Sequence, residues 1–495
     1  MIEINNLFWF RHDLRIWDNL PLYICSKTEN SAAIYIYDLS IIENRNFSNM
    51  HLDFINDSLL ELSETFRKHK AYLNIYYGES SEVIKSIINK YNVKNLYSHH
   101  EVRDLNTNTI NSKIKSLCQS NRVKWNEFQR NGVVRGLKNR DGWAYLWSKQ
   151  MKESLSPAPK LSNFKRLEKS EALKSPNELG IIQIPYEKKF TGGEKAGKLQ
   201  LEKFLNEFGQ TYSKDISSPL KAPTSCSRLS SYITYGNLSL KYVVQETQKK
   251  QMDLREKKSR NGWLGSLSAF SSRLRWHCHF IQKLEMQPSL ENTNMVRSFD
   301  QIRTKSNTEF FKRWVDGEVG FPMVDACMRF LKKNGWINFR MRAMLVSFAS
   351  YNLWLDWRLT SKFLSRYFID YEPGIHYNQF QMQSGVTGIN AIRIYNPVKQ
   401  QVDHDPDGLF IKKWVPELKD VPIDYLQYPH LMSNLLQKKI GCIIGKSYPD
   451  PVVDLKLSSL MARKKIFSIK ALDSTKKQSS IAYEMHGSRR KIRRV

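Results

Sequence analysis

Two arginines stand at the entrance of an apolar segment, and charges placed there need a partner. The stretch GWINFRMRAMLVSFAS covers residues 335–350 and carries Arg340 and Arg342 just ahead of a run with little polar face. A charge in apolar surroundings is costly unless a group of opposite sign pairs with it. Asp370 and Glu372 are the nearest strong acidic candidates. An arginine–carboxylate pair of this kind either stabilises the negative charge of a reduced cofactor ring beside it or has a purely structural role.

Two hydroxyls around an arginine form a second candidate site. The segment TSCSRLSSYITYGNLS (224–239) places Ser227 and Ser230 on either side of Arg228, where a helix is predicted to begin. Hydroxyls, free backbone N–H groups and the positive end of a helix dipole together suit a phosphate or diphosphate. An ordinary helix cap is the alternative explanation of the same residues.

A tryptophan among cations forms a third candidate site. The segment FSSRLRWHCHFIQKL (270–284) contains Arg273, Trp276, His277 and Lys283. An aromatic ring beside cations can stack on a base that has left its helix. A core residue with a solvated face would give the same pattern.

The charge balance indicates a polyanionic partner. The 495 residues include 77 Lys+Arg and 48 Asp+Glu, for a formal net charge of +29. Such an excess favours nucleic acid through phosphate contacts, although a lysine-rich proteome would also produce it.

The six cysteines form no CxxC pair, which argues for a reducing compartment and against a zinc or iron–sulfur site. The N-terminus is charged too early for a signal peptide, and no apolar run reaches the length of a membrane span. We expect an intracellular, cytoplasmic protein, or a nuclear or organellar one in a eukaryote.

The order of patterns predicts an α/β domain followed by an all-α domain. Short apolar runs alternate with segments of helical length up to residue 130, which is typical of a doubly wound parallel sheet. This domain has no GxGxxG motif, so a dinucleotide site is not indicated there. Turn formers and charge predict an interdomain connector over 131–200, and long aromatic-rich periodic segments predict a helical domain over 201–425. The basic segment 426–495 is expected to form a helix with a loose basic end. The five predicted strands are 5–10, 32–39, 71–78, 93–100 and 123–128.

Four motifs together resemble the photolyase/cryptochrome superfamily, in order and spacing, from about residue 5 to residue 425. FWFRHDLRIWDN (8–19) resembles its N-terminal signature, and SCSRLSSYITYGNLS (225–239) resembles its flavin phosphate loop. GEVGFPMVDACMRFLKKNGWINFRMR (317–342) resembles the central flavin-contacting helix pair. RIYNPVKQQVDHDPDGLFIKKWVPEL (393–418) resembles the closing signature.

The resemblance implies a helical domain that holds FAD in a bent form and uses blue light. In photolyases, excited reduced flavin passes an electron to a pyrimidine dimer flipped out of DNA, and the dimer splits. The family also implies UV-damaged DNA as partner, a monomer, and a second antenna chromophore of folate or deazaflavin type. One rival is a cryptochrome, a blue-light photoreceptor without repair activity. The other is a nucleic-acid-binding protein with a vestigial flavin site.

The family's functional residues carry over onto matching positions of this chain. Arg342 and Asp370 fall on the pair beside the flavin ring near N5, so Arg342 is expected to offset charge on the reduced flavin. Trp276 falls on the tryptophan that stacks on the dimer, and Arg340 on a residue that faces the lesion. Trp357, Trp314 and Phe380 fall on the electron-transfer triad, which runs from flavin to surface. The full set of expected flavin contacts is Tyr212, Ser227, Arg228, Leu229, Ser230, Phe270, Arg273, His277, Trp336, Phe339, Arg342, Asp370, Glu372 and His376.

Several positions depart from the family pattern. Arg273 stands where many photolyases have Glu, and His376 stands where the residue facing flavin N5 is commonly Asn, although Asn378 could take that place. The lesion pocket is therefore only partly that of a cyclobutane-dimer photolyase. Phe380 replaces the flavin-proximal tryptophan, and a phenyl ring is hard to oxidise. Tyr377, Trp354 or Tyr395 could take over the electron-transfer role of the missing tryptophan. Two further departures are Asn338-Phe339 in place of the usual His-Asn pair and Ala343 in place of Met. In the N-terminal signature, Arg11 and Asp13 can serve the domain interface alone.

Overall fold

Five apolar runs near the N-terminus form one parallel sheet in the computed structural model, which describes residues 3–43 and 46–487. The strand order is β3-β2-β1-β4-β5. Every residue of β1 and β2 is buried, as expected for strands covered on both faces. The predicted doubly wound sheet is confirmed. The strands are β1 (Asn6–Phe10), β2 (Ser31–Asp38), β3 (Leu73–Gly78), β4 (Asn95–His99) and β5 (Lys124–Phe128), and the helices between them are α1 (Leu20–Cys25), α2 (Leu39–Ile42), α3 (Asn49–Lys68), α4 (Ser80–Tyr91) and α5 (Leu105–Ser120).

The connections reverse direction at the centre of this sheet. The chain runs outward from β1 through β2 to β3 and then returns to β4 on the other side of β1. In open parallel sheets the crevice at this reversal, beyond the carboxyl ends of the strands, is the usual ligand site. Residues 11–15 follow β1 and residues 100–103 follow β4, so both segments border that crevice.

The predicted connector packs against the sheet. Its helix α6 (Trp143–Met151) buries Trp143, Trp147 and Met151. Further on, the amide of Lys165 donates to the carbonyl of Ser31 at 2.8 Å, beside β2. The connector therefore contributes to the core, while the domain limits at 130, 200 and 425 stay predictions.

The predicted helical domain is confirmed. Two π-helical segments, Phe204–Phe208 and Phe348–Asn352, interrupt it. Its α-helices are α7 (Glu194–Lys203), α8 (Tyr212–Asp215), α9 (Ala222–Ser225), α10 (Ser230–Thr234), α11 (Leu240–Glu256), α12 (Trp263–Met286), α13 (Thr308–Asp316), α14 (Pro322–Asn334), α15 (Phe339–Ser347), α16 (Trp357–Ser365), α17 (Pro373–Ser384), α18 (Pro397–His404), α19 (Leu409–Trp414), α20 (Ile423–Leu426) and α21 (Asn434–Ile440).

The C-terminal segment differs from the expectation of a helix with a loose end. Beyond α21 it forms two further helices, α22 (Leu455–Ala471) and α23 (Asp473–His486). Each is anchored to the helical domain by small buried side chains, for example Ala462 of α22 and Ala482 of α23. The last eight residues of the predicted basic end, 488–495, lie outside the described residues. Within the described part of the chain, no helix is both long and apolar enough to cross a membrane.

The two domains share one apolar core. A single cluster of buried side chains extends from Phe8 and Phe10 of β1 into α12, α14 and α15. At the centre of the interface Gly236, with φ +71°, lies against the backbone of the loop after β1. A Cβ placed on Gly236 would sit 2.2 Å from the carbonyl oxygen of His12. This close backbone approach requires glycine.

Candidate active site

Arg342 and Asp370 form a two-pronged ion pair. The Nη1–Oδ1 and Nη2–Oδ2 distances are 2.9 and 3.0 Å, and Arg342 Nε also donates to the carbonyl of Ile337 at 2.7 Å. Burial acts to raise the pKa of Asp370, but the charge and hydrogen bonds of Arg342 and a hydrogen bond from Ser230 outweigh it. The pKa of Asp370 is therefore below its usual value. The guanidinium also lies 4.2 Å above the ring of Phe368.

Arg340 and Glu372 do not follow the pairing expected from sequence. Glu372 Oε2 accepts from Nη1 of Arg103 at 3.2 Å, so this carboxylate serves the N-terminal domain rather than either arginine of α15. Arg340 Nε instead donates to Ser217 Oγ at 2.9 Å. No local sequence pattern indicates Arg103 as a partner of Glu372, because the two residues lie 269 positions apart.

The segment 227–230 is a turn rather than the start of a long helix. Helix α10 has only five residues, and no side chain caps its first turn. The ordinary cap explanation is therefore wrong, and the dipole argument for a phosphate site is weak as well. Arg228 adopts φ +54°, an uncommon conformation for a side chain of this size, and its guanidinium lies 5.2 Å from the ring of Trp336. Ser230 of this segment is hydrogen-bonded to Asp370, and Arg228 lies close enough to feel the charge of Asp370, so the segment borders the Arg342–Asp370 pair.

Tyr212 and Phe270 pack in a buried aromatic group beside α12. Their ring centroids lie 5.9 Å apart, and Phe204 contacts both rings. Burial is the main cause that raises the pKa of the Tyr212 phenol, while a hydrogen bond to Arg273 opposes it. One more turn along α12, Arg273 lies 4.4 Å above the ring of Trp276. Trp276 is 45% exposed, so it is not the core residue of the alternative explanation.

The 212–218 segment links these groups to Arg340. Tyr212 contacts Arg273 at one end of the segment, and Ser217 binds Arg340 at the other. Arg273, Trp276 and Phe339 are exposed, and Arg340 is partly exposed. The structure thus presents cations and aromatic rings to solvent on the side of the helical domain that carries the Arg342–Asp370 pair.

His376 lies close to the ion pair and is held as a neutral imidazole. Its ring centroid is 5.9 Å from that of Phe368, over which Arg342 packs. Burial lowers the pKa of His376 to about 3, and Nε2 lies 3.0 Å from the carbonyl of Ser361. Since a carbonyl only accepts, Nε2 carries the proton and Nδ1 is an acceptor. His277 is neutral as well, because burial lowers its pKa to about 3.

The three aromatic residues expected in electron transfer are all buried in the helical domain. The ring of Phe380 packs at a tilt against that of His376, with centroids 4.4 Å apart, and the indole of Trp357 donates to Asn294 Oδ1 at 2.7 Å. Trp314 was expected at the surface but is fully buried, enclosed by Phe311 and Phe363. The expectation of a surface terminus at Trp314 is therefore wrong.

Of the substitute stations, Tyr377 lies nearest to Trp357. Their ring centroids are 6.4 Å apart, and the Tyr377 hydroxyl is 2.9 Å from that of Tyr371. Trp354 has Arg303 at 4.5 Å and Lys465 at 4.7 Å from its ring. Two neighbouring cations disfavour a positive charge on that indole.

The buried polar groups of this region fit a large polar cofactor. Among the described residues, Nε of Arg228 and the side-chain oxygens of Asn338 and Asn378 are buried without a hydrogen-bond partner. Buried polar groups are normally paired, so unpaired ones around a shared region indicate a bound molecule. No group of three or more metal-ligating side chains occurs within the described ranges.

The crevice at the centre of the sheet is occupied by two carboxylate–histidine pairs. His99 Nδ1 lies 2.7 Å from Asp13 Oδ2, and His12 Nδ1 lies 2.9 Å from Glu101 Oε2. A cavity of about 10 Å³, with room for about one water molecule, is lined by His100, Arg130, Ile281 and Glu372 among others. The carboxylate of Asp13 accepts from the amide of Arg11 and contacts His99, and both partners belong to the N-terminal domain.

Comparisons with known proteins agree with this geometry. Residues 6–144 match the DNA photolyase family, and residues 270–467 match the FAD binding domain of DNA photolyase. Relatives include a cryptochrome DASH from Synechocystis, 27% identical over 93% of this chain and 97% of the relative, and the deoxyribodipyrimidine photo-lyase of Escherichia coli, 26% identical over 91% and 96%.

Solved structures show the same fold. A class III photolyase from Agrobacterium tumefaciens aligns with a TM-score of 0.80 at 23% identity, over 95% of this chain and 99% of that one. A Synechocystis cryptochrome aligns with a TM-score of 0.83 at 24% identity, over 94% and 99%. The two family matches account for the sheet domain and for most of the helical domain that carries the Arg342–Asp370 pair. The chain therefore belongs to the photolyase/cryptochrome superfamily, with FAD as the cofactor of its helical domain.

Proposed function

We propose that this chain is a light-driven, FAD-dependent photolyase that splits pyrimidine dimers in UV-damaged DNA. The observation that carries the proposal is the largely enclosed Arg342–Asp370 pair next to a solvent-facing group of Trp276, Arg273 and Arg340. A charge-holding interior beside a cationic and aromatic surface suits a redox cofactor that acts on a nucleic acid. The deoxyribodipyrimidine photo-lyases among the relatives support the same reaction.

In this reaction FAD, when bound, supplies the light-excited electron donor. Arg342 holds a positive charge at one edge of the site, and Asp370 fixes the orientation of its guanidinium group. Neutral His376 adds no second cation, and its Nδ1 offers an acceptor. Trp276 would stack on a base that has left the duplex, and Arg273, which packs on Trp276, holds the indole ring in place.

DNA binding is supported by charge on the same face. Lys214 and Lys221 are exposed on the segment that contacts Arg340, and Arg275 is exposed beside Trp276. These cations can neutralise phosphates on either side of a lesion. A net charge of +29 also opposes self-association, so we propose that the protein acts as a monomer in the compartment that holds its DNA.

A cryptochrome-type photoreceptor is the second candidate. It is favoured by Arg273 at the position where many photolyases carry Glu, and by relatives named cryptochrome DASH. Both functions need bound FAD, so only lesion repair distinguishes them.

The test is a repair assay on defined lesions. Reduced protein is mixed with oligonucleotides that carry one cyclobutane dimer or one (6-4) product, with and without blue light. We expect light-dependent loss of one lesion, and Trp276→Ala should abolish most of it. Trp17→Ala is the matched control, because Trp17 is 40% exposed but lies on the N-terminal domain. Loss of neither lesion by protein with full FAD would favour the photoreceptor.

A further inference from the structure

One loop carries the carboxylate of the Arg342–Asp370 pair. We call residues 366–372, between α16 and α17, the flavin-side loop. On one side Asp370 binds Arg342, and the amide of Ile369 donates to the carbonyl of Gly335 at 2.9 Å. Both contacts lie within the helical domain.

The opposite side of this loop is held by the N-terminal domain. Ser48 Oγ donates to the carbonyl of Arg366 at 2.8 Å, and Nε2 of His51 lies 3.0 Å from the carbonyl of Phe368. Arg103, in the loop after β4, donates from Nη2 to the carbonyl of Tyr371 at 3.1 Å and from Nη1 to Glu372 Oε2 at 3.2 Å. Carbonyls along the whole loop are thus fixed by side chains of the other domain.

Arg103 makes the contacts closest to Asp370. Nη2 of Arg103 binds Tyr371, the residue after Asp370, and Nη1 binds Glu372, the N-cap residue of helix α17. Both Arg103 and Glu372 are buried, so bulk water does not replace the contact when either partner is removed. An error of about 1 Å in a preorganised site is enough to change its function strongly.

We propose that Arg103 is a positioning residue for the flavin site. Through its contacts with Tyr371 and Glu372 it fixes the flavin-side loop in the conformation in which Asp370 accepts both hydrogen bonds from Arg342. The N-terminal domain then shapes the cofactor environment directly, besides any role in light collection. This inference rests on the proposed FAD site, but not on repair of any lesion.

The test compares Arg103 variants in FAD-loaded protein, in the dark and without DNA. Arg103→Met leaves Glu372 buried without its hydrogen-bonded cation, so it should lower stability as well as disturb the loop. The double variant Arg103→Met/Glu372→Gln removes both charges and restores stability without restoring the contact to Tyr371. Arg103→Lys keeps the charge but cannot make both contacts, and it should give an intermediate result. Arg135→Met is the control, because it breaks an exposed ion pair with Glu127 in the same domain.

The readouts are the release rate of FAD and the absorption spectrum of the bound flavin. We expect the double variant to melt close to the native temperature, to release FAD about tenfold faster, and to show a shifted flavin spectrum. Native release and an unshifted spectrum in the folded double variant would overturn the proposal and leave Arg103 a structural residue. Because no lesion is present, failure of the repair reaction would not affect this result.

Discussion

Replacing Asp370 with Asn should lower the free energy of unfolding, and the burial of the Arg342–Asp370 pair determines by how much. The substitution keeps the volume but removes the negative charge that faces two N–H groups of Arg342. Breaking a fully buried pair costs about 3–5 kcal/mol. The Arg342 side chain is 22% exposed and Asp370 6%, so water screens part of the exposed charge and we expect about 2 kcal/mol.

The loss should be visible in thermal melts and should depend on pH. For a cooperative unit of about 200 residues, 2 kcal/mol lowers Tm by roughly 4 °C. Because the pKa of Asp370 is lowered in the folded protein, its stabilisation is present above the unfolded value, about 3.9, and is lost as pH falls through the folded value. Near neutral pH the free energy of unfolding of the native protein should therefore exceed that of Asp370→Asn by a constant amount. This difference should shrink below about pH 4.

The matched control is Asp403→Asn. Asp403 pairs with Lys399 on the surface, and such exposed pairs contribute about 0–1 kcal/mol. Circular dichroism melts from neutral to acidic pH, on protein with and without FAD, give the comparison. If Asp370→Asn and Asp403→Asn melt alike at neutral pH, the pair does not stabilise the fold and the reasoning fails.

Four further outcomes are expected. Arg340→Ala should weaken binding to lesion-containing DNA more than to undamaged DNA, whereas Lys399→Ala should weaken both equally; equal losses for Arg340→Ala would make it a plain phosphate contact. Phe380→Trp should speed the photoreduction of oxidised FAD, measured as flavin bleaching under blue light with an external reductant, because an indole is easier to oxidise than a phenyl ring. Tyr377→Phe should slow photoreduction in the native chain and much less in the Phe380→Trp background, and no slowing would exclude Tyr377 as a station. DNA binding should fall steeply with salt, as expected when several phosphates are neutralised, and a flat salt response would contradict the electrostatic reasoning.

The sheet and the helical domain were predictable because their patterns are local. Period and composition place β1 to β5 within about two residues, since strands buried on both faces read as apolar runs. The two terminal helices were harder to separate, because the break at Leu472 has no glycine or proline to mark it.

Contacts within the candidate site were predictable from the sequence only where both residues match positions of a family motif. Arg342 and Asp370 lie 28 positions apart and were paired through the motif, and the structure shows that contact. Arg103 and Glu372 lie 269 positions apart, on different domains, and no periodicity connects them. The enclosure of Trp314 was equally hidden, because exposure depends on how α13 and α16 pack rather than on the residue itself.

The backbone contact at Gly236 has a consequence for exchanging parts between relatives. Side chains at an interface can be replaced together, because one can grow where its neighbour shrinks. Two main chains in contact have no such freedom, so the spacing of the two domains cannot adapt to a foreign partner. Chimeras that join the sheet domain of one family member to the helical domain of another should therefore fold only when the loop after β1 and the turn at Gly236 come from compatible parents.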